Sequence, residues 1–271
     1  MGRNLKIVLS YDGADFSGWQ VQPGRPTVQG ALAAALERVT GTRVLPQGSG
    51  RTDAGVHALA QVASCALESE SAIPGQNLVR ALNDLLPPAV RVLSVEDAPP
   101  GFHARHSARA KTYRYRIFRG GVCPPFLARY VYHHPFPLDD AAICRAAPWV
   151  VGEHDFTSFA AVDPEVCKDR VDAGDSPARA GVEAGDSPAQ RSNVRTIFSS
   201  AWERQGEELI YTVRGSGFLH HMVRNLVGTF LLVGKGSLDE AGFRRILDSR
   251  NRSAAGSTAP ASGLCLVSVE Y

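Results

Sequence analysis

Apolar residues fall along this chain at alternating and helical spacings, in short blocks separated by turn signals. Leu5 to Ser10 (LKIVLS) has the pattern of a buried strand and runs into the turn signal Tyr11-Asp12-Gly13. Pro26-Thr27 predicts a helix start. Thr27 suits the cap, Val28, Leu32, Leu36 and Val39 recur on one face, and Gly41 ends the pattern. A strand follows near Leu59 to Cys65. A second helix over Gln76 to Leu86 carries Leu78, Leu82, Leu85 and Leu86 and stops at Pro87-Pro88. A strand from Val90 to Val95 completes a β-α-β-β-α-β-like unit.

The second half repeats the theme. Lys111 to Phe118 predicts a strand and Asp139 to Val150 a helix. Val194 to Glu203 and Glu208 to Arg214 predict a strand pair around Gln205-Gly206. Helices over Phe218 to Val233 and Leu238 to Leu247 precede a terminal strand, Leu264 to Val269. The order predicts an α+β fold of two subdomains with related topology, 1–105 and 106–271. Two stretches break the pattern. Ala173-Gly-Asp-Ser-Pro-Ala178 recurs as Ala184-Gly-Asp-Ser-Pro-Ala189, a duplicated segment too poor in apolar residues to offset its ordering entropy. It reads as a loop insertion over 173–189. Residues 253–262 (SAAGSTAPAS) read as a second flexible loop.

Composition narrows the class without naming a partner. The chain has 271 residues, 44% hydrophobic and 21% charged, with a net charge of only +2. These values fit an ordinary globular protein with room for a large core. The distribution of charge says more. Phe102 to Leu138 contains no Asp or Glu but holds Arg105, Arg109, Lys111, Arg114, Arg116, Arg119 and Arg129. Tyr113, Tyr115 and Phe118 are interleaved with them. Such a block suits a polyanion with exposed bases, and equally a solvated strand face. The cysteines, Cys65, Cys123, Cys144, Cys167 and Cys265, are scattered without a C-x-x-C pair. They read as buried free thiols of a cytoplasmic protein. The longest apolar helix candidate, from Phe218, is interrupted by two His, an Arg and an Asn, which argues against a membrane span.

The densest chemistry lies in Gly50-Arg51-Thr52-Asp53-Ala54-Gly55-Val56-His57. Most Asp in glycine-rich turns only satisfy backbone groups. Here an arginine stands two positions from the carboxylate, and glycines on both sides free the backbone. A carboxylate used in catalysis must stay ionised and be aimed, and a guanidinium can do both. The second constellation is Phe218-Leu-His-His-Met-Val-Arg-Asn-Leu-Val-Gly228. Arg224 in so apolar a helix wants a carboxylate from elsewhere, and Asp53 is the obvious candidate. His220-His221 suggests a metal only weakly, because neighbours on a helix face different ways and no further ligand is nearby in sequence. No metal site is expected. On a strand, Tyr113 and Tyr115 share one face and Arg114 and Arg116 the other. Tyr113 could stack on a base or pack in the core, and Trp19 poses the same choice.

Together these motifs resemble the tRNA pseudouridine synthase A family. The resemblance is carried by G-R-T-D-A-G-V-H, by Y-D-G-x-x-F-x-G-W-Q from Tyr11, and by A-R-x-S-A-x-x-K-T-Y-R-Y around Arg105 to Tyr115. H-D-F-x-S-F at His154 to Phe159 and F-L-H-H-M-V-R-N-L-V-G complete it. It covers nearly the whole chain in collinear order, and the insertion over 173–189 is its main departure. It implies two ferredoxin-like halves whose sheets join around a basic cleft. It also implies isomerisation of uridine to pseudouridine at positions 38, 39 and 40 of the tRNA anticodon stem-loop, by a homodimer that needs no cofactor or metal. By resemblance, Asp53 is the catalytic carboxylate, Arg51 is linked to base flipping and Tyr113 stacks on the target base. Arg224 pairs with the aspartate, and Arg105 contacts tRNA. Asp53 could attack the sugar or the base, or remove a proton, and the sequence does not choose among these.

Overall fold

Leu5, Ile7, Leu9 and Tyr11 alternate inward along strand β1 (Arg3–Tyr11), as a half-buried strand requires. A computed structural model describes residues 2–67, 73–161 and 192–271, and the duplicated insertion lies outside them. Helix α1 (Val28–Thr40) is capped by Thr27, whose side chain accepts from the Gly30 N–H, and ends at Gly41 with φ 71°. Short β2 (Gln47–Gly48) and long β3 (His57–Leu67) follow, then α2 (Gly75–Leu85) and β4 (Val90–Asp97). The second half opens with β5 (Ala110–Phe118), α3 (Pro125–Ala128), β6 (Tyr132–His133), α4 (Asp140–Ala146) and β7 (Gly152–Asp155). It closes with β8 (Val194–Gln205), β9 (Glu208–Gly215), α5 (Met222–Gly234), α6 (Glu240–Ser249) and β10 (Leu264–Glu270).

The ten strands among the described residues form one mixed sheet in the order β4-β1-β3-β10-β5-β9-β8-β7, with β2 on β3 and β6 on β5. The α+β class is therefore as the sequence predicts. Both halves repeat one local order. In the first, β4-β1-β3-β2 places the last strand beside the first, then the third, then the second. In the second half, β10-β5-β9-β8 follows the same order once the short β6 and β7 are set aside. β10 joins them, running parallel to β3 through Cys265↔His57 and Leu266↔Ala58 and antiparallel to β5. His57 is the residue that ends the Gly50–His57 motif, so the motif sits where the two halves meet.

The apolar α5 is buried along almost its whole length, which explains a composition that would otherwise look membrane-like. Phe230 stacks on Phe243 at 5.3 Å between ring centroids, and Trp202, Tyr211 and Phe159 extend the aromatic layer. Among the described residues no helix is long and apolar enough to cross a membrane.

Four expectations need correction. The helix predicted from Phe218 begins only at Met222, because His221 takes a left-handed φ of 59°. The helix predicted to Val150 gives way after Ala146 to a 3-10 turn carrying Pro148, since proline cannot donate to an α-helical ladder. Of the described cysteines, all free, only Cys65 is buried, while Cys123, Cys144 and Cys265 are half-buried; Cys167 lies outside the described residues. Finally, 253–262 is a packed segment. Gly256 lies so close to α5 that a Cβ on Gly228 would come within 1.8 Å of the Ser257 carbonyl oxygen. The small residues that suggested flexibility are the ones that permit this approach.

Candidate active site

The Gly50–His57 loop is shaped by its glycines and held from behind by polar side chains. The Val56 N–H donates to the Asp53 carbonyl, and Gly55 takes φ 79° within this tight turn. Gly18 and Gly13 let the early Tyr11–Gln20 segment press against it. A Cβ on Gly18 would lie 2.7 Å from the Thr52 carbonyl oxygen, and one on Gly13 1.9 Å from that of Val56. Trp19 is fully buried there, so it packs and does not stack on a ligand. Behind the loop, the Tyr11 hydroxyl meets Thr52 Oγ1 at 2.8 Å and Gln61 Nε2 donates to the Gly50 carbonyl at 3.0 Å. Ser49 Oγ donates to Gln61 Oε1, and Lys111 Nζ to the Ser49 carbonyl. None of these supports was read from the sequence as part of the site. Gln61 gives no signal there, being one polar residue in an apolar strand.

Arg224, in the first turn of α5, reaches the loop from the other half of the chain. Its Nη1 donates to Asp53 Oδ2 at 2.8 Å and its Nε to the Ala259 carbonyl at 2.7 Å. The pairing expected from the sequence is thus present. The Gly256–Pro260 segment also contributes, because its backbone fixes the rotation of the guanidinium.

The two histidines also converge on Asp53. His220 Nε2 lies 3.5 Å from Oδ1 and His221 Nε2 3.3 Å from Oδ2. Their rings are 3.9 Å apart at 36°. The expectation that neighbouring histidines diverge assumed a helix. The left-handed His221 precedes the helix and turns both rings to one side. Burial lowers the His221 imidazole below its usual range, with Asp53 opposing the shift.

These groups open onto a cavity of about 830 Å³. Among the described residues Asp53 is the single acidic one that lines it, against Arg25, Arg51, Arg105, Lys111 and Arg195. Tyr113, on β5, lines it too, its ring edge-on to Phe218 at 5.0 Å and its phenol pushed up by burial. Of the five residues singled out in the sequence, Asp53, Arg51, Tyr113 and Arg105 share the cavity, while Arg224 grips Asp53 without being part of the lining. Burial pushes the Lys111 ammonium down to about 8, helped by Arg105 and Arg195. A polyanion would favour its charged form, so binding above that pH takes up a proton. RNA affinity should therefore fall as pH rises past about 8, by up to about tenfold per pH unit. Fluorescence anisotropy should detect this, and Lys111→Arg should flatten the profile. An equally steep profile in that variant would assign the effect elsewhere.

Comparisons with known proteins agree over the length of the chain. The family described as tRNA pseudouridine synthase matches residues 7–107 and 181–271. The tRNA pseudouridine synthase A of Solibacter usitatus is 49% identical over 269 residues, covering 99% of this chain and all of that protein. Those of Brevibacillus brevis and Moorella thermoacetica are 43% and 41% identical over 269 residues, covering 99% and 98% of this chain and 100% and 99% of theirs. Among solved structures, a chain of a Cbf5-Nop10-Gar1 complex is 13% identical with a TM-score of 0.30, covering 96% of this chain and 57% of that one. On the family match and the full-length relatives, the chain belongs to the tRNA pseudouridine synthase family and is an isomerase.

Proposed function

We propose that the protein converts uridine to pseudouridine at positions 38, 39 and 40 of the tRNA anticodon stem-loop, with Asp53 as the acting carboxylate. The observation that carries this reading is Asp53, gripped by Arg224 and the one carboxylate among the described residues that line a cavity bearing five Lys and Arg side chains and Tyr113. The net reaction moves the ribose C1′ from N1 of uracil to C5. The N1–C1′ bond breaks, a C5–C1′ bond forms, the C5 proton leaves and N1 gains a proton. The carboxylate acts on the sugar or the base, or takes the proton.

Each other group has a part in this scheme. The target base must leave its stack, at a cost of a few kcal/mol. Arg51 fills the space it vacates, and Tyr113 holds the flipped ring. The enclosing walls keep detached uracil from escaping. Arg105, Lys111 and Arg195 meet phosphates, which position the stem-loop without reading its sequence. Residues 1–105 and 106–271 act as two ferredoxin-like subdomains around a basic cleft. The repeated strand order supports this division. The working form is a cytoplasmic homodimer.

The test uses tRNA transcripts that carry uridine at only one of positions 38, 39 and 40. Mass-spectrometric mapping after incubation with the protein should find pseudouridine in all three. Product at other positions, or bound tRNA without product, would overturn the proposal.

A further inference from the structure

We infer that Asp53, His220 and His221 form a binding site for a divalent transition cation of the zinc class, and that the ion inhibits the enzyme. A tetrahedral ion with bonds of about 2.0–2.1 Å holds its ligand atoms about 3.3–3.4 Å apart. The imidazole Nε2 atoms lie 3.3 and 3.5 Å from the Asp53 oxygens, and the three ligand atoms all fall within 4.8 Å of one another. Each imidazole faces a different oxygen of the carboxylate, so a modest closure of the side chains brings two imidazoles and one carboxylate onto an ion. The open cavity supplies a fourth position for water. Nitrogen and oxygen donors of this kind suit zinc, cobalt and nickel better than magnesium or calcium.

Two features make this an inhibitory site and not a resident metal centre. His220 Nδ1 is buried without a hydrogen-bond partner among the described residues. The outer contact that normally orients a ligating imidazole and raises its basicity is therefore missing on that ring. Arg224 holds Asp53 Oδ2 at 2.8 Å, and its positive charge opposes a second cation on the same carboxylate. Binding is then weak enough to be reversible. A bound ion occupies the lone pairs of Asp53 and sits at the cavity wall, in competition with the nucleotide. The inhibition rests on the proposed role of Asp53, whereas the site itself does not.

Cobalt(II) serves as the probe. Titration of the purified protein should give the visible bands of a four-coordinate nitrogen and oxygen site, without thiolate charge transfer, and zinc should displace them. His220→Ala and His221→Asn should each weaken cobalt binding by roughly 10–100-fold or more. Asparagine tolerates the left-handed backbone at 221, so that variant keeps the local fold. Zinc should slow pseudouridine formation by the unaltered protein, and a chelator should restore it. Absence of the bands, or bands unchanged in both variants, would overturn the site. Full turnover with zinc saturating the site would overturn the inhibition. Failure of the functional reading would show separately, as retained turnover in Asp53→Asn.

Discussion

Asp53→Asn should reduce pseudouridine formation by roughly 10⁴-fold or more while leaving tRNA affinity within about threefold of wild type. The substitution preserves shape, and its carbonyl can still accept the hydrogen bond from Arg224. What it removes is the charged oxygen that could attack or take a proton. Loss of a negative charge from a cavity with five basic side chains should, if anything, tighten binding of an anionic ligand. Single-turnover product measured by mass spectrometry, alongside anisotropy, separates the two effects. A variant with about a tenth of wild-type turnover would sink the role given to Asp53.

Arg224→Ala should lower the turnover number by roughly 10²–10³-fold with little change in KM. In the proposed mechanism Arg224 aims the carboxylate, to which its guanidinium donates. The substitution also removes the donor to two acceptors, Asp53 Oδ2, which keeps His221 nearby, and the Ala259 carbonyl. Stability should fall by about 2 kcal/mol, as expected for lost hydrogen bonds to a charged group. Arg224→Lys should recover only part of the rate, because an ammonium cannot match the fork that bridges both acceptors. Steady-state kinetics with thermal denaturation gives both numbers. Turnover within threefold of wild type in Arg224→Ala would remove Arg224 from the mechanism.

Elements with regular periods were legible in the sequence, because burial imposes a period that the residues must match. β1, α1 and the β8–β9 pair were all readable in this way. The Arg224–Asp53 pair was legible for a related reason, since a charge in an apolar helix needs a partner. Backbone departures were not legible. Phe218 to His221 continue an apolar helical pattern, yet His221 turns left-handed, and this brings the histidines onto Asp53. The Gly256–Pro260 segment misled for the opposite reason. Small residues signal either disorder or close packing, and only the facing Gly228 decides between them. The supports behind the loop come from four separate parts of the chain, Tyr11, Ser49, Gln61 and Lys111. No local spacing could connect them.

The position of β10 bears on how the protein is made. It lies between β3 and β5, and its residues come after those of both in the chain. During translation the two halves can each collapse, but β3 and β5 keep unpaired edges until residues 264–270 leave the ribosome. Asp53 and Arg224 belong to the two halves that β10 joins. A chain stalled before β10 therefore exposes edges that favour aggregation. Pairing of β10 is the step that joins the two halves into one sheet.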